Sequence, residues 1–349
     1  MLLPAVLRMP APSTLEIRSR AHAGVSVRAP GRLHLGFLDP SGSLGRRFGS
    51  LGLVIENFET EIEIMAANAD DISADTPAAR ADIGRVAQHL QRLREHTGLH
   101  QPLALRLRRT LPAHAGFGSG TQLALAVGHA FARWHGLAPP SATLAHWLAR
   151  GQRSGIGIAG FDAGGLLLDG GPGADGATAP LLARLAWPND WRVVVVLDAG
   201  QYGLSGHAEA RAIATLPEMA QAQAADLCHQ VLMRVLPGAA SGDFAAFAAG
   251  INHVQALLGA HFAPAQGGSA WTSLAVGRLM QWIGTRFGTA AAIGQSSWGP
   301  TGFACVPSAI AAQQLVDAAR QAGVVDASLE LRIVTGRNHG AVLSGPQPP

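Results

Sequence analysis

Four segments of the 349-residue chain gather residue types that bind anions or stabilise developing charge. In the first, Leu111 to Trp134, Gly116, Gly118 and Gly120 alternate with Phe117 and Ser119, and Thr121 follows. Glycine lets the backbone take positive φ and approach a ligand closely. A helix starting directly afterwards offers unpaired N–H groups and the positive end of its dipole, which together bind phosphate. The hydroxyls of Ser119 and Thr121 are placed to cap that helix or touch a metal ion. A glycine-rich turn into a buried helix explains the same letters. In the second segment, Val27 to Glu56, Arg28 and Arg32 flank a Pro-Gly pair. Arg32 and His34 share one face of a strand, which makes an anion grip. Arg46 and Arg47 read as solvated hairpin charges. The third segment, Ala149 to Gly171, sets Asp162 between an apolar glycine run and a Gly-Gly pair, with Arg153 upstream. Asp169 there reads equally as a turn aspartate. The fourth, Gly294 to Val306, is a loop of small residues, Ser296, Ser297, Gly299 and Gly302, around Trp298. That tryptophan either covers a ligand or packs in the core.

Composition removes several chemistries. All 26 basic residues are arginine, so there is no lysine for a pyridoxal phosphate Schiff base, a biotin or lipoate carrier, or a Walker-type loop. Cys228 and Cys305 stand alone, far apart and without a CxxC pair, which points to a reducing compartment. A net charge of +3 with 14% charged residues suits a small anionic substrate and lacks the basic stripe of a nucleic-acid groove. The opening run MLLPAVLRMPAP is broken by proline and arginine before signal-peptide length, and no apolar stretch reaches membrane-spanning length. The expectation is a soluble cytoplasmic protein without nucleic-acid or membrane partners.

The elements that must position these segments follow from periodicity. Residues 1–23 read as a loose tail. GVSVRAP, LHLGFLD, LGLVIEN and TEIEIMA read as four strands. A helix is expected from Arg80 to His96 with Ile83, Val86, Leu90 and Leu93 on one face, then a strand LALRLRRT and a buried helix from Thr121 to Trp134. The glycine-rich Asp169 to Pro180 stretch marks the boundary between domains 24–175 and 176–349. WRVVVVLDAG predicts a strand buried on both faces. Its sequel resembles the strand-acid loop of phosphoribosyltransferases with only Asp198 of the acidic pair, and reads as a core strand whose loop, Gly200 to His207, lies near substrate. Helices follow to about Phe287, then AAIG, GFACV, a helix from Ala311 to Ala322 and LELRIV. The class is α+β.

Taken together, PGRLHLG, PAHAGFGSGTQ and GQSSWGPTG resemble, in order and separation, the three motifs of the GHMP kinase superfamily. The resemblance implies an α+β, GHMP kinase-like two-domain fold, a ribosomal S5 domain 2-like N-terminal domain and a ferredoxin-like C-terminal domain, with the site between them. Within the superfamily, RLHLGFLD, RSGIGIAGFDAGGLLLDGG and QSSWGPTG look most like the family of β-ribofuranosylaminobenzene 5′-phosphate synthases. That implies condensation of phosphoribosyl pyrophosphate with 4-aminobenzoate, releasing pyrophosphate and CO2, at the first committed step of methanopterin biosynthesis. The acceptor, 4-aminobenzoate or 4-hydroxybenzoate, stays open. The resemblance also implies Mg2+ and a homo-oligomer, a dimer foremost.

In the kinase motif a second serine follows the first directly; here Gly120 stands in that slot and Thr121 comes next, which displaces one hydroxyl from metal or phosphate. Carried over residue by residue, Gly116, Gly118, Ser119, Gly120 and Thr121 bind pyrophosphate or the 5′-phosphate. Arg32 and Arg153 grip phosphate or the aryl carboxylate through planar forks. Asp162 takes the place of the kinase aspartate, steadying a ribosyl cation or holding Mg2+. His34 orients the acceptor amine, and Ser297, Trp298 and Gly299 line the substrate side. The rivals are an ATP-dependent small-molecule kinase and a catalytically silent ligand-binding protein on the same fold.

Overall fold

The computed structural model describes residues 24–173, 176–203 and 206–345. The expected tail over residues 1–23 lies outside them, as does part of the loop from Gly200 to His207. The four expected N-terminal strands are two long ones, β1 (Val25–Asp39) and β2 (Phe48–Ala66). A register shift at Pro30/Arg32 absorbs the Pro-Gly pair as a bulge, and a second follows at His34/Gly36, so the strand continues where a break is expected. With β3 (Asp71–Ala74) and β4 (Leu103–Arg109) they form a sheet that β11 (Val342–Ser344) closes in the order β11-β1-β2-β4-β3. Strand β5 (Leu166–Asp169) pairs with the other stretch of β2, and β6 (Leu181–Leu185) pairs with β5. The glycine-rich stretch therefore connects two strands of one sheet, and the last strand among the described residues returns to that sheet.

One face of this sheet carries α1 (Pro77–Arg80), α2 (Ile83–Thr97), α3 (Ser119–Trp134), α4 (Ser141–Trp147) and α5 (Ile156–Ala163). Val86, Leu90 and Leu93 of α2 and Leu123, Val127 and Phe131 of α3 are buried there with Ile62, Ile64 and Leu105. Spacings of three and four residues put each set on one helical stripe. The second helix starts two residues before the expected Thr121, with Gly118 at φ 74° as its cap and no side-chain capping bond. Neither Ser119 nor Thr121 caps it.

The second sheet comprises β7 (Arg192–Asp198), β8 (Ala292–Gln295), β9 (Gly302–Val306) and β10 (Leu329–Val334), antiparallel in the order β10-β7-β9-β8. Helices α6 (Gly206–Thr215), α7 (Gln221–Gln230), α8 (Leu236–Ser241), α9 (Phe244–Phe262) and α10 (Leu274–Phe287) lie between β7 and β8, and α11 (Ala309–Gln321) between β9 and β10. Strand order and connections are ferredoxin-like. Val193 and Val195 face a core shared with Leu33, Leu35 and Leu51 of the first sheet and Phe247 and Ile251 of α9. Val194 and Val196 face α10 and α11. The valine run is thus buried on both sides, and one apolar core joins the two halves. No helix among the described residues is long and apolar enough to cross a membrane.

Candidate active site

The glycine loop before α3 is pinned by its one large side chain. Phe117 is fully buried and stacks on Phe58 at 4.5 Å, between Gly116 at φ 92° and Gly118 at φ 74°. Arg32 crosses beneath it: its backbone N–H donates to the Phe117 carbonyl (3.1 Å) and Nη1 to the Gly116 carbonyl (2.5 Å). From the second sheet, Ser296 Oγ donates to the same Gly116 oxygen (2.8 Å) and accepts the backbone N–H of His34 (2.9 Å). The Ser297 N–H donates to the His34 carbonyl (3.2 Å). Gly299 packs so closely that a Cβ there would meet the Ala115 carbonyl carbon at 2.4 Å. The structure therefore brings together Arg32, His34, the Gly116–Thr121 loop and the Ser297–Gly299 loop, although the chain separates the first from the last by more than two hundred residues. The Gly203 N–H adds the loop after β7 through the His114 carbonyl (3.0 Å).

A cleft of about 790 Å³ runs between the two halves beside this junction, bounded by Leu111, Ala115, Asp82, Asp198, Tyr202 and Arg332 among others. That is room for a sugar phosphate together with an aromatic acid. His34 sits behind the loop, 3% exposed, with Nε2 buried and without a partner. Burial, and then the charge on Arg32, hold its pKa down to about 3, so the imidazole is neutral at physiological pH. It borders a cavity of about 30 Å³ shared with Phe37, Gln255, Gln295 and Trp298, which has room for a small polar group but not for an aromatic ring. Trp298 is itself 3% exposed and packs on Phe262 at 4.7 Å, as its core-packing alternative requires.

Asp162 is not brought to the loop. It lies in the last turn of α5, bonded to Ser141 Oγ, which contacts His129 Nε2 at 2.7 Å. Ten residues of α3, about 15 Å of helix, separate His129 from the loop end. The part of α5 that does face the loop is its first turn, where a Cβ on Gly157 would meet Thr121 Cγ2 at 3.2 Å. Asp169, whose sequence assigns it no role beyond a turn, is fully buried and accepts the N–H groups of Gly155 (2.7 Å) and Ile156 (3.2 Å), which caps α5. Arg46 and Arg47 bond to carbonyls of Gly171 and Pro40.

Arg153 lies half-buried in the segment between α4 and α5. Another arginine of that segment, Arg150, brings its guanidinium to the loop together with Arg85 of α2: a Cβ on Gly120 would lie 3.3 Å from Arg150 Nη1 and 3.1 Å from Arg85 Nη2. Sequence reading misses both. The available signal is the spacing of Arg85, His89 and Arg92, which puts three polar residues on one face of an otherwise amphipathic helix.

The donors around the loop are guanidinia, amides and hydroxyls, and no group of three His, Cys, Asp or Glu side chains among the described residues is placed to hold a metal. This set does not fit a protein-held Mg2+, which favours carboxylate oxygens.

A glycine loop opening a helix on an S5-like sheet, a ferredoxin-like second sheet and a cleft between them define a GHMP kinase superfamily protein, and residues 83–166 match the model of the GHMP kinases N terminal domain. The phosphomevalonate kinase of Streptococcus pneumoniae shares the fold, with a TM-score of 0.66 at 15% identity over 90% of this chain and 100% of that one. The β-ribofuranosylphenol 5′-phosphate synthase of Archaeoglobus fulgidus is 30% identical over 81% of this chain and 88% of that protein, and that of Methanothermobacter thermautotrophicus 28% over 66% and 74%. The chain belongs to this synthase family.

Proposed function

We propose that the chain is a decarboxylating phosphoribosyltransferase that joins phosphoribosyl pyrophosphate to a 4-substituted benzoate, the reaction that opens methanopterin biosynthesis. The relatives' name carries a phenol, which adds weight to 4-hydroxybenzoate beside 4-aminobenzoate as acceptor. The bond from the anomeric carbon to diphosphate breaks and its electron pair leaves with pyrophosphate. The ring carbon bearing the carboxylate supplies the pair for the new C–C bond, and the para oxygen or nitrogen takes up the positive charge. The C–CO2 bond then breaks and returns its pair to the ring. No net proton is gained or lost, and the substrate is its own electron sink, so the protein needs neither lysine nor pyridoxal phosphate.

The observation that carries this reading is what faces the glycine loop: Arg32, Arg85, Arg150, Ser296 and Gly157, a set suited to anions and poor in acid or base. The protein's work is to hold the phosphates, align the ring and stabilise an oxocarbenium-like transition state. Neutral His34, buried behind the loop, serves in this reading to tie the two loops through its backbone bonds to Ser296 and Ser297, not to touch the acceptor. Magnesium, where used, would arrive on the diphosphate and not in a protein cage. The test is incubation with phosphoribosyl pyrophosphate, Mg2+ and each carboxyl-labelled acid, with mass analysis. Labelled CO2 and an aryl riboside phosphate are expected; ADP formation from ATP with no labelled CO2 from either acid would reject the synthase for a kinase.

A further inference from the structure

We infer that Arg85 and Arg150 form, with the first turn of α3, a clasp for a diphosphate, made possible by the absence of a side chain at Gly120. Tying the diphosphate to phosphoribosyl pyrophosphate rests on the proposed function; the clasp itself does not.

Two guanidinia converge on one α-carbon. Hypothetical Cβ contacts of 3.1 Å to Arg85 Nη2 and 3.3 Å to Arg150 Nη1 are tighter than ordinary packing, so a side chain in that slot would push the guanidinia back by a few tenths of an ångström. The guanidinia thus stand beside the slot in which the kinase motif carries a hydroxyl. Asp82 fixes Arg85 through Nη1 (2.7 Å), and Thr110 Oγ1 holds the other oxygen of Asp82 (2.7 Å), so Nη2 is left towards the helix. Arg92, on the same face of α2, donates to the Leu148 carbonyl (3.3 Å). Among the described residues neither Arg92 nor Arg150 reaches a carboxylate, and Arg150 Nε is buried without a partner. Three cations thus stand against one carboxylate. Burial, then Arg85 and Arg92, lower the pKa of Arg150, so the cluster is electrostatically uncomfortable without an anion.

An independent sign of a missing partner is His89. It is 3% exposed, lies beside these arginines, and neither ring nitrogen has a hydrogen bond. Helix α3 contributes its positive end, uncapped by any side chain, and two planar forks suit the bridging geometry of a diphosphate. Asp82, which holds Arg85, and Thr110 also line the large cleft, so the clasp adjoins the space in which a sugar would lie.

The test is calorimetric binding of inorganic pyrophosphate to the whole protein, in EDTA and without aryl acid. Arg150→Gln and Arg85→Gln are each expected to raise the Kd about tenfold or more. Gly120→Ala should also weaken binding while keeping or raising the melting temperature, because alanine is the better helix residue. Unchanged Kd in both arginine variants, or no pyrophosphate binding by the wild type, overturns the clasp. Tighter binding of ADP than of phosphoribosyl pyrophosphate, lost in the same variants, overturns its assignment to the sugar diphosphate. The readout needs no turnover: a protein that makes no aryl riboside yet shows this pattern keeps the clasp and loses the function, and the reverse holds equally.

Discussion

At the scale of single residues, position relative to the glycine loop decides which polar groups can act. Asp162 is bonded to Ser141 of α4, which contacts His129 far along α3 from the loop, so Asp162→Asn is expected to keep kcat/KM within about threefold of wild type. A loss of about a hundredfold or more in that assay would return Asp162 to the chemistry. Arg337 is a different case. It is 3% exposed and pairs with Glu59 and, at 3.4 Å, with Glu56, while Nη2 donates to the Gly340 carbonyl (3.0 Å). Removing the cation leaves carboxylates in a partly dry setting, so Arg337→Met should lower the unfolding free energy by about 3 kcal/mol. An unchanged urea midpoint would contradict this. The aspartate is conspicuous in the sequence, flanked by glycines, whereas Arg337 sits in an unremarkable GRN triplet. Motif context draws attention to the first, and only the fold reveals what surrounds the second.

At the scale of elements, the site is a meeting of loops held by short contacts. The Gly299 α-carbon lies against the backbone of Ala115 and Gly116, and Gly203 against Trp298 and His114. Backbone cannot yield as a flexible side chain does. Gly299→Ala is therefore expected to part the two loops and lower kcat/KM about a hundredfold, as misplacements near 1 Å do, while the first-sheet core, remote from it, keeps the protein folded. Wild-type activity in that variant would show that the loops need not touch. The glycine loop, the buried helix behind it and the strand with the four-valine run are each legible from letters, because local spacing sets their periodicity. The fusion of four expected strands into two is not, since bulges are stabilised by partners on another strand.

At the scale of the whole molecule, the shared core joins the halves, and packing there and under the helices of the first sheet buries neutral histidines. His34 and His89 have pKa values lowered from 6.5 to about 3, and His129 to about 4, in each case chiefly by burial. In the unfolded chain these groups take up protons near pH 6.5, whereas in the fold they do so only near their lowered values. Between those limits the unfolded state binds more protons, so stability falls as pH falls, by up to about 1.4 kcal/mol per unit for each fully buried histidine. Urea unfolding at pH 7 and pH 5 should show a clear acid loss that is smaller in His89→Gln. Equal losses in the two proteins would refute the contribution of His89.

The sequence by itself determined the α+β class, the glycine loop opening a helix, the exclusion of every lysine-dependent cofactor chemistry, and the family resemblance. These depend on residue type and short-range spacing, which a chain displays without folding. Tertiary structure alone decided that Arg85 and Arg150 converge on Gly120, that Gly157 and not Asp162 faces the loop, and that His34 is buried and neutral. Each of those is a matter of distance and desolvation between segments far apart in the chain, set by the packing of the helices on the first sheet and, for His34, of the two sheets on each other.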